Sequence, residues 1–147
     1  MSVYDYLDRE AATKKILRGW NDRNFAADHN AEKIAVIRAR LTKTTQSTGS
    51  APVKGGGSSK EDQLVNGLYS IEKLEEEMNE AAETNAELLT CWERLTQEER
   101  FVLAAMFVDN EDHQGIETVK QSLHVEKSEA YARVNNALKR LSRLLFW

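Results

Sequence analysis

Residues that interrupt helices are rare in this chain and concentrated in one place. The 147 residues include seven glycines and one proline, and the proline and four of the glycines lie between residues 42 and 60. Sheet sandwiches and barrels need turn residues at regular intervals along the chain. The distribution therefore predicts an all-α protein whose helices flank one flexible segment.

The segment around the proline is rich in Ser, Thr and Gly and nearly devoid of large apolar side chains. Such a composition buries too little surface to offset the entropy lost on ordering. We expect a flexible linker at residues 45–60. It separates an N-terminal helical segment, residues 1–44, from a long acidic helix at residues 61–94.

The N-terminal segment has apolar residues at roughly helical spacing. Ser2 and Asp5 have the spacing of a capping box at its start. A break near Asn24 or over residues 28–30 is compatible with the pattern, so one helix and two helices both remain open.

The long acidic helix carries a stripe of residues at spacings of three, four and seven. Ser58 or Ser59 would cap its start. A stripe of this length needs a partner, which is either the N-terminal segment folded back as a hairpin or the same helix of a second copy. We favour the hairpin and also expect a homodimer. The stripe consists of Leu64, Leu68, Ile71, Leu74, Met78, Ala82, Leu89 and Trp92.

Charge is unevenly distributed along the chain. Residues 1–59 hold 10 basic and 6 acidic side chains, residues 60–112 hold 4 and 15, and residues 113–147 hold 6 and 3. The total of −4 excludes a uniformly basic nucleic-acid binder. An acidic middle between two basic ends predicts different roles for the three segments.

Several classes of protein are not favoured by the sequence. No apolar run approaches the roughly 18 residues of a membrane span, and the first ten residues are too polar for a signal peptide. The single cysteine, Cys91, excludes an internal disulfide framework. No phosphate loop, dinucleotide-binding motif or nucleophile elbow occurs, and the three histidines lack metal-ligand spacing. We therefore expect a cytoplasmic protein that is not an enzyme and binds no cofactor or metal.

The most informative stretch is residues 95–147. Thr96 and Glu99 form a capping-box pattern before a short helix with an apolar side at Phe101, Val102, Leu103, Met106 and Phe107. A polar loop follows, then a helix ending at Leu123, three connecting residues and a long final helix. A short helix, a tight turn and a longer helix are typical of a helix-turn-helix DNA-binding domain.

The motifs of this stretch resemble region 4 of sigma-70-type factors, which recognises promoter DNA. They are L-x-x-E-E-R-x-V-L from Leu95, then I-E-x-V, L-x-V and A-L-K-R-L near the end. The whole layout is similar to small phage late transcription regulators of the ArpU and RinA type. The resemblance implies a sigma region-4-like domain that binds double-stranded DNA and acts with host RNA polymerase in a bacterial cell.

Three residues depart from the pattern of that family. His124 stands at the usual turn glycine, where a left-handed backbone is needed. Lys120 replaces a small residue and would have to extend outward. Arg133 replaces an apolar residue, so Val134 would provide the core contact.

Two sets of residues are candidates for DNA contacts. Base edges would be read by Lys127, Ser128, Tyr131 and Asn135, whose donors and apolar groups match the major-groove pattern. Phosphates would be contacted by Lys120, Gln121, Arg133 and Lys139. Glu129 would read a cytosine or repel other sequences.

The sequence thus predicts a sequence-specific transcription regulator, acting as a phage late-gene activator. One alternative is a small-terminase-like packaging subunit, which also joins a helix-turn-helix to an oligomerising helical part. The other is a helical protein that binds sigma factor or polymerase without contacting DNA.

Overall fold

The computed structural model describes residues 8–46, 57–109 and 114–146, and no strand occurs in these ranges. The all-α prediction is therefore confirmed. The helices are α1 (Arg9–Arg18), α2 (Trp20–Gln46), α3 (Gly57–Trp92), α4 (Gln97–Leu103), a short π-helix (Ala104–Val108), α5 (Gln114–Leu123) and α6 (Lys127–Phe146).

The break in the N-terminal segment lies earlier than either site considered from the sequence. α2 continues through Asn24 and residues 28–30 without interruption. The chain breaks instead at Gly19, whose N–H donates to the Lys15 carbonyl at 3.1 Å. Of the two alternatives, the described part of the N-terminal segment therefore forms two helices. The Ser2–Asp5 capping pattern lies outside the described residues.

Both ends of the predicted linker at 45–60 are helical. α2 extends to Gln46, and α3 begins at Gly57, so Ser58 and Ser59 lie within the helix rather than before it. An existing helix gains one hydrogen bond for each residue added, so it propagates into residues of modest propensity. Residues 47–56 lie outside the described part of the chain.

The chain divides into two compact units. The main unit comprises residues 1–22 and 83–147, and the two-helix unit comprises residues 23–82. The sequence-based segments 1–44, 61–94 and 95–147 do not follow this division, because α1 belongs with the C-terminal helices.

The core of the main unit joins residues from distant parts of the sequence. Leu17 of α1 and Leu88 of α3 are completely buried with Leu103, Leu138 and Leu141. Trp20 and Trp92 pack edge to face, with ring centroids 5.0 Å apart. Phe101, predicted on the apolar side of the short helix, is instead exposed.

The two-helix unit is formed by parts of α2 and α3. Ile34 and Ile71 are buried, and Arg38 Nη2 lies 2.8 Å from Glu75 Oε1. Among the described helices, none is long and apolar enough to cross a bilayer.

The stripe predicted along α3 is correct in part. Ile71 is buried as expected, but Leu89 is 48% exposed whereas its neighbour Leu88 is completely buried. Ala81 is likewise buried in place of Ala82. The buried face keeps a seven-residue repeat through Leu74, Ala81 and Leu88, and the predicted positions Ala82 and Leu89 each lie one residue beyond it.

Candidate nucleic-acid interface

The connection between α5 and α6 consists of three residues, His124 to Glu126. His124 adopts a left-handed conformation with φ of 54°, as the resemblance to a turn that usually has glycine implied. The N–H of Val125 donates to the Lys120 carbonyl at 3.2 Å. This is the 6→1 hydrogen bond of a Schellman motif, in which a residue in the left-handed conformation ends the helix and changes the direction of the chain. Histidine therefore takes the structural place of a glycine here.

Apolar side chains fix α5 against α6 on either side of this turn. Val119 and Ala130 are completely buried, and Val134 is buried beside them. Val134 thus provides the core contact that Arg133 does not. Leu123 and Val125 are partly buried against the same core. The start of α6 is consequently held against α5 by packing of the buried side chains.

The four residues predicted to contact base edges lie together on the outer surface of α6. Lys127, Ser128, Tyr131 and Asn135 are all exposed. At 100° per residue they span about 100° of the helix circumference, within its first three turns. This surface presents an ammonium, two hydroxyls and an amide, and no described residue buries it.

The residues predicted to contact phosphates are in two kinds of environment. Gln121 and Lys139 are exposed, and Lys120 is half-buried. Arg133 forms two ion pairs within the protein. Its Nε lies 3.0 Å from Glu129 Oε1, and its Nη1 donates to Glu98. The hydrogen bonds to Glu129 and Glu98 raise the pKa of Arg133. Arg133 therefore joins α6 to α4 in this structure, and Glu129 is its partner.

A second arginine connects α6 to the start of α4. The predicted capping box is present, with the Glu99 N–H 3.2 Å from Thr96 Oγ1 and the Thr96 N–H 2.8 Å from Glu99 Oε1. Arg140 contacts the same Glu99 oxygen at 2.5 Å and the Arg94 carbonyl at 3.1 Å. Burial acts to raise the pKa of Glu99, but the Thr96 hydrogen bonds and Arg140 outweigh it and lower that pKa.

Acidification is expected to weaken this connection. A carboxyl group whose pKa is lowered in the folded state contributes stability above its unfolded pKa and loses it as the pH falls through the folded pKa. The urea midpoint, followed by tryptophan fluorescence from about pH 7 to about pH 3, should therefore fall less in Glu99→Gln than in the parent. Glu117→Gln, which removes an exposed carboxylate on α5, is the control and should follow the parent. Equal acid sensitivity in all three proteins would contradict this role of Glu99.

Two contacts that support the site were not apparent in the sequence. A Cβ placed on Gly115, at the start of α5, would lie 2.5 Å from the Ala105 carbonyl oxygen of the π-helix. Thr13 of α1 and Ser142 of α6 are buried, and their hydroxyl oxygens lie 2.7 Å apart. Thr13 donates to the Arg9 carbonyl, so Ser142 is the donor to Thr13. The Thr–Ser pair spans 129 residues, and no local pattern marks it.

Within the described ranges no group of His, Cys, Asp and Glu side chains is arranged to hold a metal, and His113 lies outside those ranges. His29 stacks on Phe25 with ring centroids 5.0 Å apart. Burial, followed by Glu87, raises the pKa of the Cys91 thiol, which disfavours the reactive thiolate.

Comparison with known proteins finds no family model, no curated protein and no solved structure that matches this chain significantly. Its function must therefore be argued from its own residues.

Proposed function

We propose that this chain is a sequence-specific DNA-binding protein that regulates transcription, with α6 as the recognition helix of a helix-turn-helix. The observation that carries the proposal is the exposed polar surface formed by Lys127, Ser128, Tyr131 and Asn135, directly after the left-handed turn at His124. Side chains in the first turns of a recognition helix are those that reach base edges in the major groove.

The chemistry of this surface suits base recognition. A lysine donates to guanine, an asparagine pairs bidentately with adenine, and a tyrosine ring contacts the thymine methyl group. Lys120, Gln121 and Lys139 would position the duplex through its phosphates. The resemblance to phage late activators suggests the cellular role, in which the protein acts at a late-gene promoter with host RNA polymerase.

The proposal is tested by selecting fragments of the protein's own genomic neighbourhood over a series of salt concentrations. We expect one upstream site to be enriched at physiological salt. Affinity should fall with added salt, with a log–log slope of about −0.9 for each phosphate neutralised. No enrichment and no retention at low salt would overturn DNA binding and favour a protein partner instead.

Lys127→Ala should weaken binding to the enriched site by about tenfold or more, because a good base contact contributes about 1–3 kcal/mol of discrimination. The far-UV circular dichroism should not change, since Lys127 is exposed. Lys73→Ala, which removes an exposed lysine from the two-helix unit, is the matched control and should bind as the parent does. Unchanged affinity in Lys127→Ala would show that α6 is not the recognition helix.

A further inference from the structure

The two-helix unit has a small core for its length. Among its described residues the buried side chains are Asn30, Ile34, Ile71 and Ala81. Helices in proteins owe most of their stability to the packing of an apolar face, and a pair of helices with few buried contacts is marginal alone. We therefore expect a further protein surface to pack against this unit and stabilise it.

Large apolar side chains remain exposed on both of its helices. On α2, Val36 is 51% exposed, and on α3, Val65 and Tyr69 are 64% and 66% exposed. Val65 and Tyr69 lie one turn apart on α3, whereas Val36 is a single exposed side chain. Contiguous exposed apolar patches are typical of interaction surfaces.

Each exposed apolar site is continued along its helix by charges that are mostly of one sign. On α2, Lys33, Val36, Arg40 and Lys43 follow one another at spacings of three, four and three, and all are exposed. One exposed acid, Glu32, lies beside them, four residues before Val36. These spacings place them on one side of the helix. We call this surface the basic face.

The corresponding surface of α3 is acidic. Val65, Tyr69, Glu72, Glu76 and Glu80 recur at spacings of four, three, four and four, and all are exposed. One exposed base, Lys73, lies among them, four residues after Tyr69. We call it the acidic face. The charge of the two helices within this unit agrees: residues 23–46 contain five basic and two acidic side chains, whereas residues 57–82 contain two basic and seven acidic ones.

We infer that two copies of this chain associate through these surfaces, with the basic face of one copy packed on the acidic face of the other. Pairing two acidic faces would oppose carboxylates to carboxylates, and pairing two basic faces would oppose cations, which costs binding energy. Only the unlike pairing buries Val36 with Val65 and Tyr69 while neutralising the flanking charges. The inference is independent of DNA binding and specifies the surface that self-association would use.

Sedimentation of the full chain at low salt over a range of concentrations tests the inference. The parent should self-associate, and added salt should weaken the association because exposed charges are screened. The basic-face variant (Lys33→Glu, Arg40→Glu, Lys43→Glu) should raise the dissociation constant at least on the order of tenfold.

The acidic-face variant (Glu72→Lys, Glu76→Lys, Glu80→Lys) should be equally impaired alone. A mixture of the two variants should associate again, because each then presents charges opposite to those of the other. Circular dichroism checks that both variants are folded, and restored association in the mixture excludes misfolding as the cause of the loss.

A control for net charge reverses three exposed acids outside the two-helix unit, as Glu10→Lys, Glu93→Lys and Glu117→Lys. It should associate as the parent does. A parent that stays monomeric at low salt, or one whose association survives both face reversals, would overturn the inference. Neither result depends on whether the chain binds DNA.

Discussion

Gly115→Ala is expected to lower the free energy of unfolding of the main unit by about 2–3 kcal/mol or more, in the range found for overpacked cores. The new Cβ would lie 2.5 Å from the Ala105 carbonyl oxygen and 3.0 Å from the Met106 Cα. Both are backbone atoms of the π-helix, so no side chain can rotate away and α5 must shift. Because α5 positions α6, binding to the proposed DNA site should weaken as well.

Urea unfolding followed by tryptophan fluorescence measures this effect, because Trp20 and Trp92 pack together in the main unit. Gly67→Ala is the matched control. Its Cβ would meet the end of the Leu41 side chain at 2.7 Å, which can move. Alanine also favours a helix over glycine by about 1 kcal/mol. A Gly115→Ala protein as stable as the parent would show that α5 does not need this close approach.

Leu17→Ala is expected to destabilise the main unit by about 2–5 kcal/mol, as for other buried leucines. Leu17 is completely buried and lies in one core with Leu88, Leu138 and Leu141. Deleting residues 1–22 would expose that core and also remove Thr13, the partner of Ser142. We therefore expect a fragment consisting of residues 95–147 not to fold as the intact chain does.

Urea titration of Leu17→Ala and circular dichroism of the 95–147 fragment measure these effects. Leu89→Ala is the control for leucine truncation. Because Leu89 is 48% exposed, this substitution should lower the free energy of unfolding only slightly. A 95–147 fragment with a cooperative unfolding transition and the parent's DNA affinity would contradict the role assigned to α1.

Local rules were sufficient for much of the proposed interface. The Thr96–Glu99 capping box depends on groups three residues apart, and the left-handed conformation of His124 was implied by the family pattern that the turn resembles. The burial of Val119, Ala130 and Val134 follows from helical spacing. Each of these features is fixed by neighbours in sequence, so a pattern of residues predicts it.

Those local rules do not predict contacts between residues that are distant in sequence. Arg133 looked like a cation available to phosphate, but Glu98, 35 residues earlier, accepts a hydrogen bond from it. Leu88 rather than Leu89 is buried because the packing of the main unit selects which side of a long helix faces the core. The sequence pattern contains both leucines and does not choose between them.

The amino-acid sequence by itself determined that the chain is helical, where α4 and α6 begin, and which side chains α6 exposes, because helix formation, capping and turns are governed by residues within a few positions. Tertiary structure alone decided that α1 completes the core beneath α6, that Gly115 must admit the π-helix backbone, and that Arg133 is paired. Those outcomes depend on which surfaces meet when the helices pack, and that choice is made by shape and burial over the whole unit.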